Sequence, residues 1–194
     1  MNNQKRFLQT SDMALISMFC ALIAICSWIS IQLIVPFTMQ TFAVFVSVAL
    51  LGTRRAFITI SLYILIGAAG VPVFSGFRGG MSVLMGTTGG YIIGFLFAVI
   101  VTGTLIKIFG DRNFILLLAM IAGLIVCYIF GTVWFMYFYA RAGSTIGFIA
   151  ALSKCVFPFI IPDILKISLA VFIYKAIKKR IKIKSDTIYG RYIN

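Results

Sequence analysis

Two oppositely charged side chains lie three residues apart in a stretch that is otherwise almost wholly apolar. They are Asp163 and Lys166, in the segment 157–170, which also contains Pro158 and Pro162. Residues three apart share one face of a helix, so the two charges can contact each other and a common ligand. At bilayer depth each charge costs about 3 kcal/mol on insertion scales, which indicates either a binding site or a structural ion pair. We favour the binding site, because Pro162 lacks an N–H for the carbonyl four residues back and loosens the backbone beside the charges.

The composition of the chain is that of a membrane protein. Of its 194 residues, 62% are hydrophobic and 11% are charged, and the mean hydropathy is +1.11. Soluble domains carry about 25% charged residues. A membrane-spanning helix needs about 20 apolar residues, and charge-free runs of that length or more cover residues 13–53, 56–77, 79–106 and 113–140. We therefore predict an all-α polytopic membrane protein with one integral membrane domain, residues 1–194.

Glycine, proline and charged residues divide these runs into six hydrophobic segments. The predicted transmembrane helices are residues 12–35, 39–52, 55–70, 89–108, 114–140 and 148–176. The second and third are short, so we expect one or both to be tilted or to stop short of the far surface.

Basic residues are distributed unequally between the two sides of such a bundle. With six crossings, one side receives Lys5, Arg6, Arg54, Arg55, Lys107, Arg112 and a C-terminal cluster, and the other receives Arg78, Arg141 and Lys154. Cytoplasmic loops carry the excess of Lys and Arg. We therefore predict that residues 1–11 and the basic tail 177–194 lie on the cytoplasmic side of the cell membrane. The tail suits anionic membrane lipids, and because no RNA-binding motif accompanies it, we expect no nucleic-acid partner.

The sequence lacks the patterns of a metal or nucleotide site. It has no His, and its four cysteines lie in apolar runs without the close spacing of zinc ligands. The motif Gly-x-x-x-x-Gly-Lys-[Ser/Thr], which cradles phosphates in ATPases, does not occur. We predict no metal and no cofactor, and uphill transport by this chain would require energy from a partner.

A glycine-rich loop connects the third and fourth predicted helices. Residues 70–90 contain seven glycines, yet they also hold large apolar side chains, namely Phe74, Phe77, Met81, Val83, Leu84 and Met85. Glycine permits close turns and apolar side chains favour burial, so the loop either caps a cavity or packs as an extracellular connector. Its only charge, Arg78, can bind a carboxylate through two parallel hydrogen bonds.

Residues on the same outer side predict a pocket above the charged pair. Its apolar walls would be aromatic, namely Phe74, Phe77 and Tyr91. Neutral hydrogen-bonding groups would come from a turn before the second helix, namely Thr38 and Gln40. The charges of Asp163 and Lys166 cancel and leave Arg78 unpaired. Such a pocket suits a small monoanion whose other end is polar and rich in hydrogen-bond donors.

The first predicted helix carries small residues at helical spacing. They are Ala14, Ser17, Ala21 and Ala24, of which Ser17 and Ala21 are four apart. Small side chains allow two membrane helices to approach closely. This stripe is either a docking face for another protein or a packing face within this one.

Five short elements follow one another along the chain, namely Pro36-x-Thr-x-Gln40, Leu51-Gly-x-Arg-Arg55, Gly67-x-x-Gly-x-Pro-Val-Phe74, Gly86-x-Thr-Gly-Gly-Tyr-x-x-Gly-Phe95 and Pro162-Asp-x-x-Lys166. Together they resemble the BioY family, the biotin-binding S components of energy-coupling-factor (ECF) vitamin transporters. The resemblance covers nearly the whole chain. The resemblance implies a six-helix protein that captures biotin with high affinity from outside the cell.

The resemblance also implies partners and residue roles. A transmembrane coupling subunit and two cytoplasmic ATPases would drive transport, and ATP would be used only by those partners. Asp163 and Lys166 would meet the ureido ring of biotin, while the glycine-rich loop and Tyr91 would cover the thiophane ring and the valerate tail. The Ser17-x-x-x-Ala21 spacing would correspond to the docking face for the coupling subunit.

Two other functions remain open from the sequence. One is an S component for a different small anionic vitamin, against which the Pro-Asp-x-x-Lys element argues. The other is an intramembrane enzyme that uses Asp163 as acid or base, whose only ionisable partner nearby would be Lys166. Besides these two, a purely structural membrane scaffold is a further alternative, and it would leave the apolar glycine-rich loop without a purpose.

Overall fold

A computed structural model describes residues 9–144 and 146–181, with the side chains of residues 180 and 181 excepted. The elements in chain order are α1 (Thr10–Trp28), β1 (Ser30–Ile31), β2 (Phe37–Thr38), α2 (Gln40–Ala68), α3 (Met81–Leu84), α4 (Gly89–Phe109), α5 (Asn113–Arg141), α6 (Phe148–Cys155), a 3-10 turn (Phe157–Phe159) and α7 (Ile160–Ile181). Most of the predicted N-terminal segment 1–11 and of the basic tail 177–194 lies outside the described residues.

Within this part of the chain, five helical stretches are long and apolar enough to cross a membrane. They are α1, α2, α4, α5 and the combined stretch Phe148–Lys179. The prediction of a mostly helical, multi-pass membrane protein is confirmed. Its apolar core lies where α4 packs against α5 and where α2 packs against α1, α4 and α7.

Helix α2 folds back on itself at Gly52. That residue has φ 77° and ψ 168°, a conformation outside the helical region. The side-chain amide of Gln40 donates to the hydroxyl of Tyr63 at 2.6 Å, although the two residues are 23 apart in sequence. On a straight helix they would be about 34 Å apart, so the two halves of α2 are antiparallel. These halves coincide with the predicted segments 39–52 and 55–70.

The first helix ends earlier than predicted. The sequence predicted a helix over residues 12–35, but α1 ends at Trp28 and the chain forms an antiparallel hairpin in which Ser30 pairs with Thr38 and Ile31 with Phe37. Two local causes favour the extended chain: its β-branched residues, and Pro36, which disfavours the helical conformation at Val35. The hydropathy of the sequence did not reveal where the helix ends, because the hairpin residues are as apolar as those of the helix.

The last predicted helix, residues 148–176, is broken in the structure. The break lies at Val156 (φ −128°, ψ −57°), followed by the 3-10 turn and then α7. Pro158 and Pro162 lie in the 3-10 turn and the first turn of α7, where a missing N–H leaves no helical hydrogen bond unmade. The break therefore places Asp163 in the first turn of α7, where the helix dipole stabilises a negative charge.

Two ion pairs close the end of the bundle that contains the Gly52 turn. Asp12 on α1 lies 2.7 Å from Arg55 on α2, and Asp111, between α4 and α5, contacts Lys178 on α7. Tyr174 also donates to Asp111 at 2.6 Å. Partial burial raises the pKa of the Asp111 carboxyl, but the hydrogen bonds from Lys178 and Tyr174 outweigh it and hold the pKa below its usual value.

The turn of α2 generates a prediction at Gly52. Its backbone conformation is nearly restricted to glycine, so Gly52→Ala should lower the free energy of unfolding by about 1–3 kcal/mol. Gly147→Ala is the matched control, because Gly147 has a negative φ and open space where a Cβ would stand. Unfolding in detergent, followed by circular dichroism, measures both. Equal stability of the two variants would show that Gly52 is not needed for the turn.

Candidate ligand-binding site

A cavity lies at the end of the bundle opposite the Gly52 turn, where α2, α4 and α7 begin. Its empty volume, including the open mouth, is about 680 Å³. Seven of the eight residues predicted to form the pocket line it, namely Thr38, Gln40, Phe74, Arg78, Tyr91, Asp163 and Lys166. The structure therefore brings together residues that are up to 128 positions apart, such as Thr38 and Lys166.

The charged pair forms the floor of this cavity. Lys166 Nζ lies 2.7 Å from Asp163 Oδ1, and the two residues are only 5% and 4% exposed. Both charges are thus removed from bulk solvent, which is costly unless each is paired and hydrogen-bonded. The polar atoms that surround them meet this requirement.

Two residues that the sequence did not single out complete the environment of Asp163. Tyr128 on α5 donates to Asp163 Oδ2 at 2.5 Å, and Thr41 in the first turn of α2 donates to Oδ1 at 3.2 Å. Both line the cavity. Each is a polar side chain within an apolar run, and that signal alone does not tell a site residue from any other buried hydroxyl.

Lys166 is held by the hairpin before α2 and by the first turn of α2. Its Nζ donates to the Thr38 carbonyl oxygen at 2.6 Å and to Thr41 Oγ1 at 3.3 Å. The ammonium also lies 3.8 Å from the centre of the Phe37 ring, a cation–π contact. The early end of α1 is what makes these contacts available, because it frees residues 29–38 to form the hairpin.

The side chain of Gln40 joins the cavity wall to the glycine-rich loop. Its Oε1 accepts from Thr38 Oγ1 at 3.1 Å, and its Nε2 donates to Tyr63 OH. Tyr63 OH donates in turn to the Val73 carbonyl oxygen at 3.0 Å, and Ser27 Oγ lies 2.5 Å from the same oxygen. Gln40 therefore holds the loop and α1 against the site, besides lining it.

The glycine-rich loop covers the cavity. Phe74 is buried, packs edge-on against Tyr63 with ring centres 5.5 Å apart, and lines the cavity. It fits because Gly67 has no side chain: a Cβ there would lie 2.1 Å from the Phe74 ring. Loop residues 74–78 form a tight turn closed by backbone hydrogen bonds between Phe74 and Arg78.

Arg78 has no carboxylate partner among the described residues. Its Nε donates to the Ser75 carbonyl oxygen at 3.1 Å, which fixes the guanidinium at the cavity wall. The three described aspartates pair instead with Arg55, Lys178 and Lys166. The guanidinium can therefore accept an anion from outside the chain.

The prediction that Phe77 forms a wall of the pocket is wrong. Phe77 is 64% exposed and stacks on Trp28 with ring centres 4.9 Å apart, outside the cavity. Phe77 has a positive φ of 55° and lies within the tight turn formed by residues 74–78. Tyr91 does reach the cavity, and its hydroxyl lies 3.4 Å from Thr132 Oγ1 on α5.

The small-residue stripe on α1 is divided in the structure. Ala14, Ser17 and Ala21 lie on the outer face of the helix and are exposed. Ala24 is only 7% exposed and belongs to the apolar core, so its assignment to the docking face is corrected. The three exposed residues do not pack against the rest of the bundle, so this part of the stripe is available for contact with another protein.

The chemistry available in the cavity is recognition of a polar, amide-like group together with an anion. One carboxylate accepts and one ammonium donates. The same lining holds the Arg78 guanidinium, which bonds to neither of them, and aromatic side chains such as Phe74 and Tyr91. Among the described residues no group of His, Cys, Asp and Glu side chains could hold a metal ion.

Known proteins resemble this chain over almost all its length. The model of the BioY family matches residues 1–183. A relative from Pyrococcus horikoshii, described as a probable biotin transporter BioY, is 36% identical over 86% of this chain and 95% of its own. The biotin transporter BioY of Thermotoga maritima is 39% identical over 83% of this chain and 92% of its own.

A solved structure has the same fold. It is a crystal structure of the S-component for biotin from an ECF-type ABC transporter, with a TM-score of 0.78 and 24% identity, covering 92% of this chain and 95% of that one. The family model and the two relatives, each above 30% identity over most of both sequences, establish the relationship independently of the fold. The chain belongs to the BioY family.

Proposed function

We propose that this chain is the membrane subunit that binds biotin in an ECF-type ABC transporter. The observation that carries the proposal is the buried Asp163–Lys166 pair at the floor of a cavity whose wall holds Arg78, which has no carboxylate partner among the described residues. The names of the relatives and of the solved structure support the same ligand. Biotin has a cyclic urea at one end, which suits the Asp163–Lys166 pair, and a carboxylate at the other, which suits Arg78.

The urea end of biotin would lie against the charged pair. One of its ring N–H groups would donate to the Asp163 carboxylate, and the adjacent carbonyl oxygen would accept from Lys166. Tyr128 holds the second carboxylate oxygen and so fixes the plane in which Asp163 accepts. This geometry favours a ligand with adjacent donor and acceptor atoms over a simple cation or anion.

The remainder of biotin would extend toward Arg78. Phe74 and Tyr91 would cover the thiophane ring and the valerate chain, and the guanidinium of Arg78 would bind the carboxylate. The charges of Asp163 and Lys166 cancel, so Arg78 alone balances the single negative charge of the ligand. Thr38 and Gln40 would act mainly by holding Lys166 and the loop in place.

In the proposed orientation the chain crosses the cell membrane six times. The two antiparallel halves of α2 would count as separate spans, each short, as the sequence predicted. The basic residues of the Gly52 turn and of the α4–α5 connection would then face the cytoplasm with both termini. The cavity at the opposite end would open to the outside.

Energy for transport would come from partner subunits. The sequence contains no phosphate-cradling motif of its own, so we propose that a transmembrane coupling subunit and two cytoplasmic ATPases complete the transporter. The exposed face of α1, formed by Ala14, Ser17 and Ala21, would contact the coupling subunit. We propose that this chain uses no cofactor.

The chain is a transporter subunit and not an enzyme. The relatives named above are described as biotin transporters. No observation favours another anionic vitamin over biotin.

Binding of biotin tests the proposed function directly. The detergent-purified chain should bind biotin with a dissociation constant in the nanomolar range, which corresponds to about −12 kcal/mol. Isothermal titration calorimetry measures the affinity, and mass spectrometry of molecules retained through purification identifies a ligand already bound. Absence of heat from a folded chain free of retained biotin would reject the proposal.

The role of the charged pair is tested by Asp163→Asn. The substitution keeps the size of the side chain, removes its charge and leaves Lys166 buried without its partner. Loss of one member of a buried ion pair costs about 3–5 kcal/mol, so biotin binding should weaken at least about a hundredfold. The control is Asp111→Asn, which removes a paired aspartate at the other end of the bundle and should leave binding unchanged. Wild-type affinity in a folded Asp163→Asn protein would make the pair purely structural.

The docking face is tested by Ala21→Trp. A large side chain on the outer face of α1 should block close approach of the coupling subunit and abolish both uptake and co-purification. Biotin binding by the purified variant should remain normal, because the substitution lies outside the cavity. Ala150→Trp, also on an exposed helical surface, is the control and should retain uptake. Uptake by the Ala21→Trp variant at the wild-type rate would place the docking face elsewhere.

A further inference from the structure

The hydroxyl of Thr41 stands between the two charges of the site. It donates to Asp163 Oδ1 at 3.2 Å and accepts from Lys166 Nζ at 3.3 Å. A single oxygen thus acts toward the carboxylate as a donor and toward the ammonium as an acceptor. The Thr41 side chain lines the cavity, so a bound molecule can reach the same two charges.

The hydrogen-bonding capacity of Lys166 is fully used in this arrangement. An ammonium group has three N–H donors, and Lys166 directs them to the Thr38 carbonyl oxygen at 2.6 Å, to Asp163 at 2.7 Å and to Thr41 at 3.3 Å. A ligand carbonyl cannot bond to Lys166 unless one of these partners gives way. The bond to Thr41 is the longest of the three.

The hydrogen bonds of Asp163 also identify Thr41 as the most weakly held partner. Its Oδ2 accepts from Tyr128 at 2.5 Å, while Oδ1 accepts from Lys166 at 2.7 Å and from Thr41 at 3.2 Å. The bond from Thr41 is again the longest. Both charges therefore hold the Thr41 hydroxyl more loosely than they hold their other partners.

We propose that the Thr41 hydroxyl is an internal substitute for the amide group of the ligand and that biotin displaces it on binding. This inference rests on the proposed function. One N–H of the cyclic urea would replace the hydroxyl as donor to Asp163, and the adjacent carbonyl would replace it as acceptor from Lys166. The remaining bonds of the two charged groups would stay in place, so the site exchanges partners without losing its ion pair.

The displacement has opposite consequences for the empty and the occupied site. In the empty site the hydroxyl keeps two buried charges satisfied, which favours the ligand-free state. In the occupied site its place is taken, so it contributes little there. Thr41 is thus a residue that weakens binding and aids release, which a subunit that passes its ligand onward requires.

The test is Thr41→Val, which keeps the shape of the side chain and removes the hydroxyl. Because only the ligand-free state loses hydrogen bonds, the dissociation constant for biotin should fall by about threefold to tenfold. The melting temperature of the ligand-free protein should also fall, and the stabilisation by saturating biotin should exceed that of the wild type. Thr41→Ala should change both quantities in the same directions, which covers failure of the valine variant to fold.

Two control variants test whether the effect on affinity comes from loss of the Thr41 hydroxyl itself. Thr41→Ser keeps the hydroxyl and should bind biotin as the wild type does. Thr59→Val removes a buried hydroxyl from the same helix, where it bonds to the Arg55 carbonyl oxygen away from the cavity, and should leave affinity unchanged.

The result that overturns the inference is weaker or unchanged binding by Thr41→Val. Weaker binding would mean that the hydroxyl contacts biotin directly. A wild-type chain that binds no biotin would reject the proposed function and, with it, the displacement. The two failures are distinguishable, because the first occurs only in the variant and the second in the parent protein.

Discussion

The structure depends on keeping two opposite charges buried at one end of an apolar bundle. Asp163 and Lys166 are stable there only because four other groups hold them. The carboxylate has the hydroxyls of Thr41 and Tyr128, and the ammonium has the Thr38 carbonyl, the same Thr41 hydroxyl and the Phe37 ring. These groups come from the hairpin, α2 and α5, while the pair itself lies on α7. The site therefore forms only when all four parts of the chain are packed together.

The same constraint links the site to more distant parts of the molecule. Thr38 bonds to Gln40, which reaches Tyr63 on the returning half of α2, and Tyr63 bonds to the Val73 carbonyl of the loop above the cavity. Ser27 on α1 meets that carbonyl as well. A series of buried and partly buried hydrogen bonds thus connects three parts of the molecule: α1, which carries the exposed small residues, the loop above the cavity, and the residues that line the cavity. A shift in one of these parts therefore strains the others.

Much of this protein follows from local sequence. Hydropathy and the charge-free runs predicted a multi-pass helical protein, and Gly52 with its neighbours predicted the interruption of α2. Asp163 and Lys166 were found because an acidic residue in an apolar segment is rare and costly. Arg78, Phe74 and Tyr91 were found because they stand in a loop, or at its end, that is both glycine-rich and apolar. These signals depend on the identity of single residues and their near neighbours.

Contacts between distant residues could not be read from the sequence. Thr41 and Tyr128 are ordinary polar residues until α2 and α5 place their hydroxyls on Asp163. Phe77 fitted the predicted pocket, yet the turn at residues 74–78 places it outside the cavity. Ala24 fitted the predicted docking stripe, yet the way α1 is rotated about its axis buries it in the core. The sequence by itself determined which residues are costly to bury. The tertiary structure decided which partners offset that cost, because a buried charge is satisfied by whatever polar atom the packing brings within hydrogen-bond distance.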